Sequence, residues 1–312
     1  MSGHTEIRLS DGRLLQLWEG GDPAGLPVVF HHGTPNGRLQ AVSGDSPARA
    51  LRVRLISVGR PGYGRSSDSP PSLASVGADT VEVADASGFG EFAVLGASGG
   101  GPYALATGLA APDRVRAVGV AVGIGPWRLI EPTDAQDPDD QNPDTQDPDT
   151  QDPDRRLLAL ADAGDVTGAL DGFRAQGHVA FDRMLALDDM AMVDEFFHHA
   201  PPKDTPWLDS AARRAWAADL REALRSYDGY ARDNVAWGAD WDIDPALLKV
   251  PTWLWYGERD VMVPVSHGQW LAGRIPGSTL VVRPGKGHGA TFFEHWGDML
   301  ETLRDQMSRP QR

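Results

Sequence analysis

The sequence predicts an α/β fold in which a mostly parallel central sheet is flanked by helices and interrupted by an inserted helical cap. Three observations lead there. Between Pro27 and Val122, short apolar runs of strand length alternate with helix-length stretches. Several of those runs are continuously apolar, which is what a strand buried on both faces requires. The rhythm then stops near Gly123 and resumes at Thr252, with helix-like, Trp-rich sequence between.

Taken in order, Glu6 to Leu9 and Leu14 to Trp18, joined by Ser10-Asp11-Gly12, read as an opening β-hairpin. Pro27 to His31 is a strand, Leu39 to Leu51 a helix, Arg54 to Val58 a strand, and Ser72 to Gly88 a helix. Phe92 to Ala97 is a further strand. Pro102 opens a helix that runs to Ala111, at a position where its missing N–H costs least. Val115 to Val122 is a buried strand. After the interruption come strand Thr252 to Tyr256, helix Pro264 to Arg274, strand Ser278 to Val282, and a closing helix from Thr291 to Met307. The expected division is a core of residues 1–124 and 246–312 and a cap of residues 125–245. Helical stretches in the cap include Arg155 to Ala163, Met184 to His198 and Ser210 to Arg225.

A chain of 312 residues, 41% hydrophobic, can bury a large core. No apolar run is long enough to span a bilayer, and Met-Ser-Gly-His-Thr-Glu-Ile-Arg lacks the regions of a signal peptide, so a cytoplasmic location is expected. Neither a membrane nor a nucleic-acid partner is expected. The absence of cysteine excludes disulfides, thiolate metal sites and a cysteine nucleophile, which leaves oxygen nucleophiles for covalent chemistry.

The net charge of −15 is concentrated. Ten acidic residues and no Lys or Arg lie between Glu131 and Asp154, in a fourfold five-residue repeat of Gln-Asp-Pro-Asp type over residues 134–154. Proline at every fifth position forbids regular ladders and nothing apolar is available to bury, so an exposed loop is expected. Its carboxylates could attract calcium, but no glycine supplies the sharp turn of a calcium loop. Elsewhere in the cap, Trp127, Trp207, Trp216, Trp237 and Trp241 with Phe173, Phe181, Phe196 and Phe197 either line an apolar pocket or anchor the cap helices. His178, His198 and His199 read as solvated, since no carboxylate at ligand spacing accompanies them. No cofactor or metal is expected.

Val94-Leu-Gly-Ala-Ser-Gly-Gly-Gly-Pro102 carries an apolar strand into a glycine-flanked serine. Gly96-Ala97-Ser98-Gly99-Gly100 matches Gly-x-Ser-x-Gly, in which a tight strand-to-helix turn lifts one hydroxyl clear of the sheet. The same glycines could cradle a dinucleotide phosphate. That reading needs the turn on the first strand and an acid about 20 residues later for the ribose. Here at least three strands precede the turn, and Val118 to Ile124 contains no Asp or Glu.

Loops at the carboxyl ends of neighbouring parallel strands converge. Four of them carry polar residues: His32-Gly33-Thr34-Pro35, the Ser98 turn, Gly257-Glu258-Arg259-Asp260, and Gly285-Lys286-Gly287-His288-Gly289. A serine hydroxyl needs a base to take its proton, and the base needs a partner to hold its tautomer. Ser98, His288 and Asp260 supply those roles, in the chain order Ser, Asp, His. The N–H groups of Gly99 and Thr34 are the candidate donors to an oxyanion. His32 reads as a structural residue of its turn.

With these residues, the chain resembles a serine hydrolase of the α/β-hydrolase superfamily over about residues 5–125 and 237–308. Arg60-Pro-Gly-Tyr-Gly-Arg-Ser66 is similar to the glycine-rich loop after the fourth strand of that family, and Val250 to Asp260 with Val263-Pro264 to the region that brings the acid. Gly59 departs from the pattern, since relatives usually carry a structural Asp there. Ser98 separates the chain from epoxide hydrolases and haloalkane dehalogenases, whose nucleophile is Asp. The resemblance implies an esterase-like enzyme forming an acyl-enzyme on an apolar small-molecule acyl or ester substrate. It also leaves open acyl transfer, carbon–carbon bond hydrolysis, lyase or cyclase chemistry, and a receptor-like binding role.

Overall fold

The computed structural model describes residues 3–130, 153–198 and 205–309. Eight strands form one sheet: β1 (Gly3–Arg8), β2 (Leu14–Gly21), β3 (Leu26–His31), β4 (Val53–Gly59), β5 (Phe92–Ala97), β6 (Val115–Ala121), β7 (Thr252–Gly257) and β8 (Thr279–Arg283). Their spatial order is β1-β2-β4-β3-β5-β6-β7-β8. Only β1–β2 and β2–β4 pair antiparallel; from β4 through β3 to β8 every pairing is parallel.

The apolar runs behave as the parallel-sheet reading requires, because successive residues enter opposite cores. On β3, Val29 joins Val94, Val118 and Leu254 on one face. Val28 and Phe30 join Leu95, Ala117 and Trp255 on the other. The first face is covered by α2 (Leu73–Ala86) and α3 (Gly101–Ala110). The second is covered by α1 (Asp45–Ala50) and by the last two helices, α10 (His288–Phe293) and α11 (Trp296–Met307). Helix α9 (Val265–Arg274) follows β7.

Between β6 and β7 the described residues form five helices: α4 (Pro153–Asp162), α5 (Val166–Leu185), α6 (Asp189–Phe196), α7 (Ser210–Ala223) and α8 (Asp228–Gly238). Two apolar clusters hold them together. One gathers Met192 and Val193 of α6 with Trp216 and Leu220 of α7, and the other Leu158, Phe173 and Val235 of α4, α5 and α8. No helix among the described residues is long and apolar enough to cross a membrane.

Four boundaries differ from the sequence reading. Residues 39–51 are a 3₁₀ segment, Arg38–Gly44, followed by α1. The helix proper starts at Asp45, an acid in a first turn where the helix dipole favours it, and the Asp45 carboxylate also accepts from Gly21 N–H at 2.7 Å. Residues 184–198 do not form one helix. Asp188 caps α6 by accepting from the N–H groups of Met190 and Ala191, both at 3.0 Å, so α5 must end before it. The closing helix is likewise split into α10 and α11, where the His295 ring takes up the Ala290 carbonyl. Pro153 and Asp154, assigned above to the acidic repeat, begin α4 instead. Residues 134–152 of that repeat lie outside the described residues.

Candidate active site

Strand β5 is buried along its whole length and delivers Ser98 into a 3₁₀ turn, Ser98–Gly100, that leads straight into α3. Ser98 has φ of +51°, a left-handed conformation that a non-glycine residue adopts at a cost of about 1–3 kcal/mol. The glycines around it are required by close approach. A Cβ on Gly96 would lie 2.3 Å from the Gly100 carbonyl oxygen, and one on Gly100 would lie 2.2 Å from the carbonyl oxygen of His31. The turn is therefore pressed against the end of β3, the neighbouring strand, and Ser98 sits at its apex.

Strands β7 and β8 bring the next two residues together. Their loops are laced by the N–H of Glu258 donating to the Arg283 carbonyl at 3.0 Å and that of Arg259 to the Lys286 carbonyl at 2.9 Å. Asp260 is fully committed. Its Oδ1 accepts from the N–H groups of Met262 and Val263 at 3.0 and 2.9 Å, and its Oδ2 meets Nδ1 of His288 at 2.7 Å. With the Asp260 side chain buried and acting as acceptor, His288 must carry its proton on Nδ1, which leaves the Nε2 lone pair free to take a proton.

The turn after β3 lies against the serine. A Cβ on Gly33 would come 3.3 Å from Ser98 Cβ, and one on Gly99 would come 2.6 Å from Thr34 Oγ1 and 3.4 Å from Thr34 N. The backbones of Thr34 and Gly99 are thus neighbours, as two donors to one oxygen must be. Gly33 N–H is held by Gln40 Oε1 at 2.8 Å. His32 is structural: Nδ1 donates to the Gly33 carbonyl at 2.8 Å, Nε2 accepts from Arg60 N–H, and the ring packs edge-on to Tyr63. Burial first, and then the charge of Arg60, hold its pKa well below the ordinary imidazole value, so it stays neutral.

Beneath this turn lies a buried cluster that the sequence reading missed. Arg60, at the end of β4, donates to the carbonyl of His32 and pairs with Asp233 of α8; both side chains are wholly buried. Asp233 also accepts from the hydroxyls of Thr34 at 2.7 Å, Tyr63 at 2.8 Å and Tyr103 at 2.7 Å. Burial alone would raise its pKa. The charge and hydrogen bond of Arg60 override burial and hold it at about 2, so the carboxylate is ionised. A second buried acid, Asp219 of α7, accepts from Asn36 Nδ2 at 2.9 Å and Gly37 N–H at 3.0 Å, while its Oδ1 has no partner. There burial dominates and pushes the carboxyl up to about 6. Arg60 stood within a quoted motif, but nothing in the sequence marks an Asp inside a mixed helix as its partner.

The inserted aromatics mostly anchor. Phe173 and Trp216 are buried, Trp237 and Trp241 pack against the core, and Trp207 stacks on Phe293 with ring centres 4.2 Å apart. Trp207 also reaches the His288 loop, since a Cβ on Gly289 would lie 3.0 Å from its ring. Trp127 is the more exposed exception and lies 4.8 Å from the ring of His267. His178 pairs with Asp182 on the surface of α5, and no group of three or more potential metal ligands occurs among the described residues. His199 lies outside the described residues.

Residues 27–295 match the family model for the alpha/beta hydrolase fold. Among curated proteins, the chain is 25% identical over 256 residues to a candidate carbamate hydrolase, RutD of Caulobacter sp. (strain K31), covering 77% of this chain and 75% of that one. A shorter match, 33% over 60 residues, is to the pimeloyl-[acyl-carrier protein] methyl ester esterase of Chromobacterium violaceum and spans 19% of this chain and 23% of that protein. Among solved structures, the esterase EaEST from Exiguobacterium antarcticum superposes with a TM-score of 0.66 at 19% identity, covering 98% of this chain and all of that one.

Proposed function

The chain belongs to the alpha/beta hydrolase fold family, and from that premise we propose that it is a serine hydrolase cleaving a carboxylic ester or related acyl bond of a small, apolar substrate. Ser98 is the nucleophile in this reading, His288 the general base and then acid, and Asp260 the residue that orients His288. The N–H groups of Thr34 and Gly99 receive the oxyanion.

His288 Nε2 takes the Ser98 proton as Oγ attacks the acyl carbon, and the carbonyl π pair becomes the oxyanion between the two N–H donors. As that intermediate collapses, the bond to the alcohol oxygen breaks, and His288 returns the proton to the leaving alkoxide. Water then repeats the sequence on the acyl-enzyme, giving the carboxylic acid and free Ser98. The reaction draws on side chains, two backbone N–H groups and water. Imidazolium formed during both halves is stabilised by the Asp260 carboxylate, which is already desolvated and hydrogen-bonded and so needs little reorganisation.

The observation that carries the reading is a strained, glycine-walled Ser98 turn and a His288–Asp260 contact that both lie beyond the carboxyl ends of parallel strands of one sheet. The test is hydrolysis of p-nitrophenyl esters of graded acyl length by the wild-type protein and by Ser98→Ala. The proposal expects turnover by the former and a loss of about 10⁴-fold or more in the latter with its fold retained. Equal turnover by both would refute it.

A further inference from the structure

The oxyanion turn is held by core and insertion together. Thr34 Oγ1 donates to the Asp233 carboxylate of α8 at 2.7 Å, and the same oxygen lies where any Cβ on Gly99 would collide with it. The Thr34 side chain therefore spans the gap between Asp233 and the backbone of Gly99, the other proposed donor. We propose that Asp233 is a positioning residue for the oxyanion hole: through the Thr34 hydroxyl it sets the direction in which the Thr34 N–H points. This inference rests on the hydrolase reading given above.

Stability alone is a poor explanation for such a cluster. Burying an Arg–carboxylate pair costs desolvation that its Coulomb energy roughly repays, and apolar replacements are often as stable. What the ionic cluster supplies instead is geometry. Asp233 directs four donors, from Thr34, Tyr63, Tyr103 and Arg60, to fixed positions, and Arg60 in turn grips the His32 carbonyl two residues before the Thr34 N–H. An oxyanion donor works only when fixed before charge develops, and small misplacements are expensive in rate. Because α8 belongs to the insertion, the hole is complete only while that helix is seated on the core.

Thr34→Val tests this, because it removes the hydroxyl and keeps both the backbone N–H and the side-chain volume. The expected result is a fall in kcat of about 10- to 100-fold with KM for p-nitrophenyl butyrate changed less than about threefold. Affinity for a trifluoromethyl ketone, whose tetrahedral oxygen occupies the hole, should fall by the same factor as kcat. Thr34→Ser, which keeps the hydroxyl, should recover most of the rate. If Asp233→Asn folds, its effect on kcat should shrink to less than about threefold in the Thr34→Val background, since both changes break one link. Wild-type kcat in folded Thr34→Val, a loss shared equally by Thr34→Ser, or a change confined to KM overturns the inference while the hydrolase reading stands. If the wild-type protein does not hydrolyse the ester, or if Ser98→Ala hydrolyses it as fast as the wild type, the hydrolase reading falls and this inference with it.

Discussion

The Asp260 carboxylate meets Nδ1 of His288 at 2.7 Å and spends its other oxygen on the N–H groups of Met262 and Val263. The residue is thereby pinned by its own loop before it orients the histidine. Asp260→Asn keeps the acceptor for those two N–H groups but presents an amide to His288 and favours the wrong tautomer. In serine proteases that change costs about 10⁴-fold in kcat with the geometry intact. A comparable loss of ester hydrolysis, with an unchanged circular dichroism spectrum, is expected here.

Gly100→Ala places a Cβ 2.2 Å from the His31 carbonyl oxygen, a backbone atom that cannot move aside without breaking the β3–β5 pairing. Overpacking of this kind costs about 1–3 kcal/mol or more. A lowered melting temperature together with lost hydrolysis is expected, whereas Gly90→Ala, where a Cβ meets nothing within 4 Å, should leave both near wild type.

How far the sequence could be read follows from where each residue's partners lie along the chain. The strands stood out because a parallel sheet covered on both faces imposes continuous apolar runs; Ser98 and Asp260 stood out because each sits just beyond such a run, and His288 because it lies in a glycine-flanked loop after the partly exposed β8. Residues 184–198 were misread because their apolar content masked the N-cap at Asp188, a local signal that competes with helix continuation. Asp233 was invisible for a different reason: its partners Thr34, Arg60, Tyr63 and Tyr103 are each at least 130 residues away, and a helical Asp ordinarily faces water.

The pH dependence of stability is set partly by Asp219. Its pKa is raised to about 6 in the folded protein from an ordinary 3.8, so folding takes up a proton between those values. Its contribution is therefore fully present below the unfolded pKa and is lost as pH rises through about 6, by about 3 kcal/mol in total. Asp219→Asn keeps an acceptor for Asn36 and Gly37 without ionising. The stability of the wild type relative to this variant should fall as pH rises from about 4 to about 7 and level off above, as read by urea melts at several pH values.

Aromatic contacts help to seat the inserted helices on the core. Trp216 is buried against Phe293 of α10 and against Phe196 and Phe197. Trp216→Ala should cost about 3–5 kcal/mol. Because the ring bridges insertion and core, the lowered melting temperature should be accompanied by faster proteolysis within α6 and α7.

The proposed mechanism depends on Ser98 as the reactive hydroxyl. Treating the intact protein with a fluorophosphonate and mapping the adduct by mass spectrometry tests it most directly. One adduct per chain is expected, on Ser98, abolished by Ser98→Ala and slowed by Asp260→Asn. An adduct on another residue, or labelling that persists in Ser98→Ala, would contradict it.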